Sequence, residues 1–288
     1  MIKKIAVIGG DLRLVKLIEM LAKDGYEVNT YAIEKAEIIS KLENVKIFNS
    51  IEETIQDTDV IIGPVPLSSN NIEINTPFSD IKITLSQLAK KIEGKTFIAG
   101  SIKPEFYKLI TNKEKIIDLL NREELTVLNT ISTAEGAIQI AMEETTKTIH
   151  GSNILVLGFG RVGKIVANML KGIGANVYCE ARKNSDLSWI RAYGYNPVIL
   201  NKINENLKDF DIIINTIPSL ILNEEKLKIL NKETLIIDLA SNPGGVDRMK
   251  AKELGIRTIW ALSLPGKVAP LTSAEFIKDT IYNVFKEI

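Results

Sequence analysis

The chain repeats itself. Residues 5–10, IAVIGG, return as ILVLGF at 154–159. Residues 21–28, LAKDGYEV, return as LKGIGANV at 170–177, and residues 57–66, DTDVIIGPVP, return as DFDIIINTIP at 209–218. Each copy reads as a short apolar strand, a glycine turn, a helix and a second strand, with a later strand running into a proline loop. That alternation builds a parallel sheet with helices on its faces. Short apolar runs at 95–99, 125–129, 235–239 and 258–261 suit further strands buried from both sides. With 288 residues there is room for two domains in the usual range of roughly 100–200 residues.

The junctions follow from the helical patterns. Residues 132–149, STAEGAIQIAMEETTKTI, are expected to form a linking helix opened by Ser132 and Glu135 in capping-box spacing. From Ser273 onward, Ile277, Ile281, Val284, Phe285 and Ile288 share one helical face, so the last segment is expected to cross back. The N-terminal, substrate-side domain is then 1–131 plus a C-terminal helix of about 273–288. The second domain is 132–272. The fold class expected is α/β, two doubly wound parallel-sheet (Rossmann-like) domains with a cleft between them.

The second copy carries the stronger motif. VLGFGRVGK, residues 156–164, is a G-x-G-x-x-G match at Gly158, Gly160 and Gly163 placed after a strand and before a helix. Gly158 allows the tight turn, Gly160 lets backbone approach a pyrophosphate, and Gly163 permits close helix packing. With Phe159, Arg161 and Val162 between them, these residues are expected to hold a dinucleotide at the helix N-terminus. After the next strand, spacing puts the position of the ribose-binding acid on Ala181. Glu180 comes one residue early and is expected to point to the opposite side, while Arg182, Lys183 and Ser185 suit a 2′-phosphate. NADP is preferred on this ground, and NAD is the alternative if Glu180 reaches the ribose. Asn215, Thr216 and Pro218, ending the fourth strand of this half, are expected to contact the nicotinamide.

The first copy abandons the motif. Gly9 aligns with Gly158, but Asp11 with Gly160 and Leu14 with Gly163, and a carboxylate at that place repels pyrophosphate. Gly10, Asp11 and Arg13 are left as candidates for a smaller anion, a carboxylate being the obvious one. Ser68, in the loop 63–71, would stand at the same sheet edge. Ser132, Thr133 and Glu135 can hold a substrate carboxylate or simply cap their helix. Lys267, in LPGKVAP at 264–270, is the best cation for a second carboxylate.

Composition narrows the partners. Lys plus Arg equals Asp plus Glu at 36 each, so no whole-chain field attracts nucleic acid or an anionic membrane. No apolar stretch approaches the roughly 18 residues of a membrane span, and Asp11 and Arg13 cut the first apolar run too early for a signal peptide. The single cysteine, Cys179, fits a reducing cytoplasm and reads as a small buried group rather than a reactive thiol. His150, the one histidine, lies before the glycine strand, at its end away from the expected cleft, and reads as a turn or cap residue rather than a general base. No catalytic dyad and no metal site is read from the sequence.

AVIGGD, TAEGAIQIA, TIHGSNILVLGFGRVGK, INTIPSLIL, IDLASNPGGVD and LPGKVAP together resemble the dipicolinate synthase A-subunit family. That family is related in fold to alanine dehydrogenase and other two-domain dehydrogenases. The resemblance spans nearly the whole chain and implies NADP-dependent oxidation of dihydrodipicolinate, from the lysine pathway, to dipicolinate during sporulation. It implies a partner, the flavoprotein-like B-subunit of dipicolinate synthase, in the cytoplasm of a mother cell, with homo-oligomers also open. A pyridine dicarboxylate is the small dicarboxylate substrate so implied. Two alternatives stand beside it: another NAD(P)-dependent dehydrogenase of the same fold acting on an amino or hydroxy acid, and a non-catalytic NADP-sensing regulatory subunit.

Overall fold

The computed structural model describes residues 2–205 and 207–288. Two compact units emerge, Met1–Leu128 with Ala269–Ile288, and Asn129–Val268. The first contains β1 (Lys4–Ile8), α1 (Leu12–Lys23), β2 (Glu27–Tyr31), β3 (Val45–Ile47), α2 (Ile51–Ile55), β4 (Val60–Ile62), α3 (Leu85–Ile92), β5 (Phe97–Ala99), α4 (Pro104–Tyr107) and β6 (Ile116–Asp118). Helix α5 (Glu123–Glu144) leads out of it. The second contains β7 (Asn153–Leu157), α6 (Arg161–Gly172), β8 (Asn176–Glu180), α7 (Asn184–Ala192), β9 (Asn196–Val198), β10 (Ile212–Asn215), α8 (Glu224–Leu227), β11 (Leu235–Asp238), α9 (Arg248–Glu253), β12 (Thr258–Trp260) and α10 (Leu264–Val268). Helix α11 (Pro270–Glu287) belongs to the first unit again.

The internal repeat is a repeat of topology. One sheet runs β3-β2-β1-β4-β5-β6 and the other β9-β8-β7-β10-β11-β12, all parallel. In each, winding reverses between the first strand and the fourth, at β1/β4 and at β7/β10. Ligands of such sheets collect outside the carboxyl ends at that reversal.

Both faces of each sheet are covered, which is why the strands read as unbroken apolar runs. In β1, Ile5 and Val7 enter the layer formed with α1 and α11, while Ala6 and Ile8 enter the layer of Phe97 and Phe106. In β7, Ile154 and Val156 take one side and Leu155 and Leu157 the other.

Helix α11 docks through the face read from its spacing. Ile277, Ile281 and Val284 are fully buried beside α1, and burying each contributes about 1.5–3 kcal/mol. Ile288, expected on the same face, is exposed at the chain end. Polar contacts fix the rotation of α11: Lys278 Nζ and Tyr282 Oη donate to Asp24 Oδ2 at 3.0 and 2.6 Å. Arg122 forks onto Glu287 at 2.7 and 2.6 Å.

Residues 125–129, read above as a strand, are helical and lie inside α5. The edge place in the sheet is taken by β6. Buried positions Thr130, Ala134, Ala137, Ile138 and Ala141 then recur at helical spacing, and β-branched residues in a short run carry too little strand preference to resist that burial. The linking helix therefore begins nine residues before Ser132, at Glu123, and stops at Glu144, short of the expected 149. Among the described residues no helix is long and apolar enough to cross a membrane.

Candidate functional site

The two glycine loops occupy the same place in their sheets and are finished in opposite ways. In the first unit Asp11 is the N-cap of α1, its carboxylate accepting from the Arg13 backbone N–H at 3.0 Å. Arg13 folds back on the same carboxylate through Nε at 3.0 Å and Nη2 at 2.7 Å, and Nη2 also reaches the Val65 carbonyl. Gly10 donates its N–H to the Asn75 carbonyl at 2.9 Å. The helix terminus thus already holds an anion, and a guanidinium 6% exposed already neutralises it.

Of the three residues expected to meet a substrate carboxylate, Gly10 donates to Asn75 and Arg13 commits its Nε and Nη2 to Asp11 and Val65 within the loop. Ser68 is likewise a loop organiser: its hydroxyl donates to the Glu73 carbonyl at 2.5 Å and accepts from the Asn71 N–H at 3.0 Å.

In the second unit Gly160 is the N-cap of α6 and no side chain caps the helix. A Cβ at Gly160 would meet nothing within 4 Å, so the helix N-terminus faces open space. Gly158 turns at φ +90°, a left-handed conformation that suits glycine. At Gly163 a Cβ would stand 2.0 Å from the Gly158 carbonyl oxygen, so only glycine lets α6 pack this close to the loop. Phe159 is buried, Val162 half-buried, and Arg161 opens α6 on the exposed side. An uncapped helix terminus with room before it is what a pyrophosphate requires.

At the end of β8, Glu180 is 1% exposed. Its Oε2 accepts the Gly158 N–H at 3.2 Å, and its Oε1 is buried without any hydrogen-bond partner. Burial holds this carboxyl above the usual glutamate range, against the pull of the Gly158 N–H and of Arg182. Spacing alone had turned Glu180 away from the loop. It is in register with Leu157, the residue before Gly158, and as the last strand residue it is long enough to reach over the β7 end. That pairing register is the signal that counting from the glycines missed. Arg182, Lys183 and Ser185 are exposed just beyond, Ser185 within the first turn of α7. A buried acceptor with no donor, beside an open helix terminus, fits the adenosine end of a nicotinamide nucleotide.

At the β7/β10 reversal Thr216 donates its hydroxyl to the Leu157 carbonyl at 2.9 Å, drawing the two loops together, and Pro218 is exposed beyond it. Asn215, expected to meet the nicotinamide, is tied into its own loops. It is fully buried, its Nδ2 donates to the Ile217 carbonyl and to Asp238 Oδ1 at 3.0 and 2.7 Å, and its Oδ1 accepts from the Ile217 N–H. Asp238 in turn accepts from the Ala240 and Gly245 N–H groups at 3.1 and 2.9 Å. Together they shape the loops after β10 and β11, with both Asn215 Nδ2 hydrogens committed inside the protein.

The remaining candidates sit on helices. Ser132 is buried in mid-α5, Glu135 is exposed, and Thr133 donates to the Asn129 carbonyl at 2.8 Å. None of them opens the helix, so the capping box and its spare N–H groups are not there. Lys267 is exposed in α10, which packs on α5 where Gly136 leaves room for Leu264 and Val268. His150 is exposed in the turn before β7, at the end of the strand away from the glycine loop. Cys179 is buried, and desolvation pushes its thiol up to about 12. Among the described residues no three His, Cys, Asp or Glu side chains gather as a metal site.

Comparison with known proteins follows this division of the chain. Residues 4–120 match the family of N-terminal domains of the dipicolinate synthase A-subunit, and residues 126–242 match the NAD-binding domain of D-isomer specific 2-hydroxyacid dehydrogenases. The dipicolinate synthase A-subunit of Bacillus subtilis (strain 168) is 35% identical over 288 residues, with 99% of this chain and 96% of that one covered. The crystal structure of the same component of dipicolinate synthase from Bacillus subtilis superposes with a TM-score of 0.88 at 32% identity, covering 100% of this chain and 97% of that one. Its counterpart from Bacillus halodurans gives the same TM-score at 31% identity, covering 98% and 97%. At the level of fold alone, an L-alanine dehydrogenase aligns at a TM-score of 0.64 and 13% identity. With a parallel sheet in each unit, a nucleotide-type loop in the second and this likeness over its full length, the chain belongs to the dipicolinate synthase A-subunit family.

Proposed function

We propose that this chain oxidises dihydrodipicolinate to dipicolinate with NADP+ as hydride acceptor, working with the flavoprotein-like B-subunit in the cytoplasm of a sporulating cell. The observation that carries the redox reading is the contrast between the two helix termini: α1 closed by Asp11 and Arg13, α6 open at Gly160 beside the unpartnered Glu180 oxygen. When bound, NADP+ supplies the hydride acceptor; the dihydropyridine loses a hydride to it and a proton to solvent, and its ring becomes aromatic. The first-turn N–H groups of α6 hold the pyrophosphate, Gly158 to Gly163 set the distance, and Arg182, Lys183 and Ser185 receive the 2′-phosphate. Thr216 and Pro218 border the nicotinamide. Lys267, exposed on α10, is the cation proposed for a substrate carboxylate. Aromatisation drives the step, so orientation rather than a strong base is the task left to the chain.

The test is turnover with freshly generated dihydrodipicolinate and NADP+ or NAD+, with and without the second, flavoprotein-like component. Reduced-nicotinamide absorbance and dipicolinate mass are followed together. Equal amounts of reduced cofactor and dipicolinate support the proposal. Nucleotide binding with no reduction in either arm refutes it and favours the sensing reading, while turnover only with an amino or hydroxy acid favours the other dehydrogenase reading.

A further inference from the structure

We propose that helices α5, α6 and α7 of the second unit form the face on which two copies of this chain pair, related by a two-fold axis that runs along α6. The inference goes beyond the nucleotide reading and does not depend on it.

The three helices line one face of the sheet, where Ala137, Val166 and Ile190 join a single core. Each leads into a parallel strand, α5 into β7, α6 into β8 and α7 into β9, so their C-terminal ends lie along the same sheet edge. Helix α6 is the middle one: a groove separates it from α5, and on its other side Lys171 Nζ donates to the Tyr193 carbonyl just past α7. Apolar surface collects at these ends. The groove is lined by Ile138, Met142, Met169 and Ile173, and Met142 is 53% exposed. Across α6, Trp189 and Tyr193 are 54% and 47% exposed and stack with ring centroids 5.5 Å apart. Single exposed apolar residues need no explanation, whereas a methionine groove and an aromatic pair on one face mark a docking surface.

Charge decides what docks there. Glu135, Gln139 and Glu143 recur at every fourth residue on the exposed side of α5, and residues 132–144 hold no Lys or Arg. Helix α6 has no acid and exposes Lys164 and Lys171; α7 exposes Arg191, and its one acid, Asp186, lies in the first turn. The face is therefore acidic along one edge and basic along the other. A partner of uniform charge suits only one edge, but a second copy suits both, as an isologous contact requires. The direction of the axis follows. An axis across the helices lays α5 on α5 and sets acid against acid. An axis along α6 lays α5 of one copy on α7 of the other with their C-terminal ends matched. Glu143 then faces Arg191, and Met142 faces the Trp189 and Tyr193 rings, a favourable sulfur–aromatic contact. Each contact is made twice.

The experiment is sedimentation equilibrium of the full chain, for wild type and two charge-reversed variants, with a thermal melt to confirm that each variant folds. Gln139→Lys with Glu143→Lys makes the acidic edge basic, and Lys171→Glu with Arg191→Glu makes the basic edge acidic. Wild type is expected to dimerise, and the dimer Kd of each variant alone to rise at least about tenfold, because both of its edge contacts now set like charges together. Mixed in equal amounts, the two variants are expected to dimerise again, since an axis along α6 sets a basic edge on an acidic one at both contacts. A monomeric wild type overturns the inference. So do dimers that neither variant weakens, and folded variants that stay monomeric when mixed. All of these outcomes leave the nucleotide reading standing.

Discussion

Gly160→Asp would give the second unit the residue that closes the first. The backbone accepts it: Gly160 has φ −81° and ψ −164°, an extended conformation open to any residue, and no atom lies within 4 Å of the new Cβ. The carboxylate would accept from the Val162 N–H as Asp11 accepts from that of Arg13. Aspartate and glycine differ by only a few tenths of a kcal/mol as N-caps, so the melting temperature should hold or rise slightly. Binding should collapse. A carboxylate about 4 Å from a phosphate charge costs on the order of 4 kcal/mol at an effective dielectric near 20, and the lost helix-terminus interaction adds about 0.3–1 kcal/mol. The expected weakening is more than about 100-fold in Kd for both nucleotides, read by calorimetric titration alongside a melt. A folded Gly160→Asp variant that binds NADP+ within about threefold of wild type would refute the placement of pyrophosphate at α6.

Other substitutions separate folding from binding. Gly163→Ala puts a methyl 2.0 Å from the Gly158 carbonyl oxygen, and the forced shift should cost about 1–3 kcal/mol in urea unfolding together with nucleotide affinity; unchanged stability contradicts the close packing. Ile281→Ala empties a fully buried site between α11 and α1 and should lower unfolding free energy by about 2–5 kcal/mol, without that loss if α11 is undocked in solution. Because the folded Glu180 carboxyl is raised above 4.5, its contribution is fully present below that value and is lost as pH rises through the folded value. Glu180→Gln should therefore gain stability relative to wild type on the alkaline side, and a pH-independent difference would contradict the burial.

Much of this chain was legible because its strands are buried on both faces, so apolar runs mark them and the repeated order announces two sheets. Strand β5 came out shorter than the run at 95–99, and 125–129 went to helix because tertiary burial, not the run itself, chose the period. Gly158, Gly160 and Gly163 were readable since each answers a backbone demand that local sequence states. Polar side chains were not. Arg13, Ser68 and Asn215 each looked available, and each is consumed by a partner two to fifty-two residues away.

The sequence by itself determined the doubling, the strand and helix alternation, and which half keeps a loop fit for a dinucleotide, because these depend on neighbours a few residues apart. Only the tertiary structure decided that Asp11 and Arg13 shut the first loop and that Glu180 bends over the β7 end with one oxygen unpaired. Whether a polar group is spent or spare depends on near neighbours, as for Arg13 on Asp11, and on what the fold brings across the sheet, as for Arg13 on Val65 and Asn215 on Asp238, and a local pattern can record only the first.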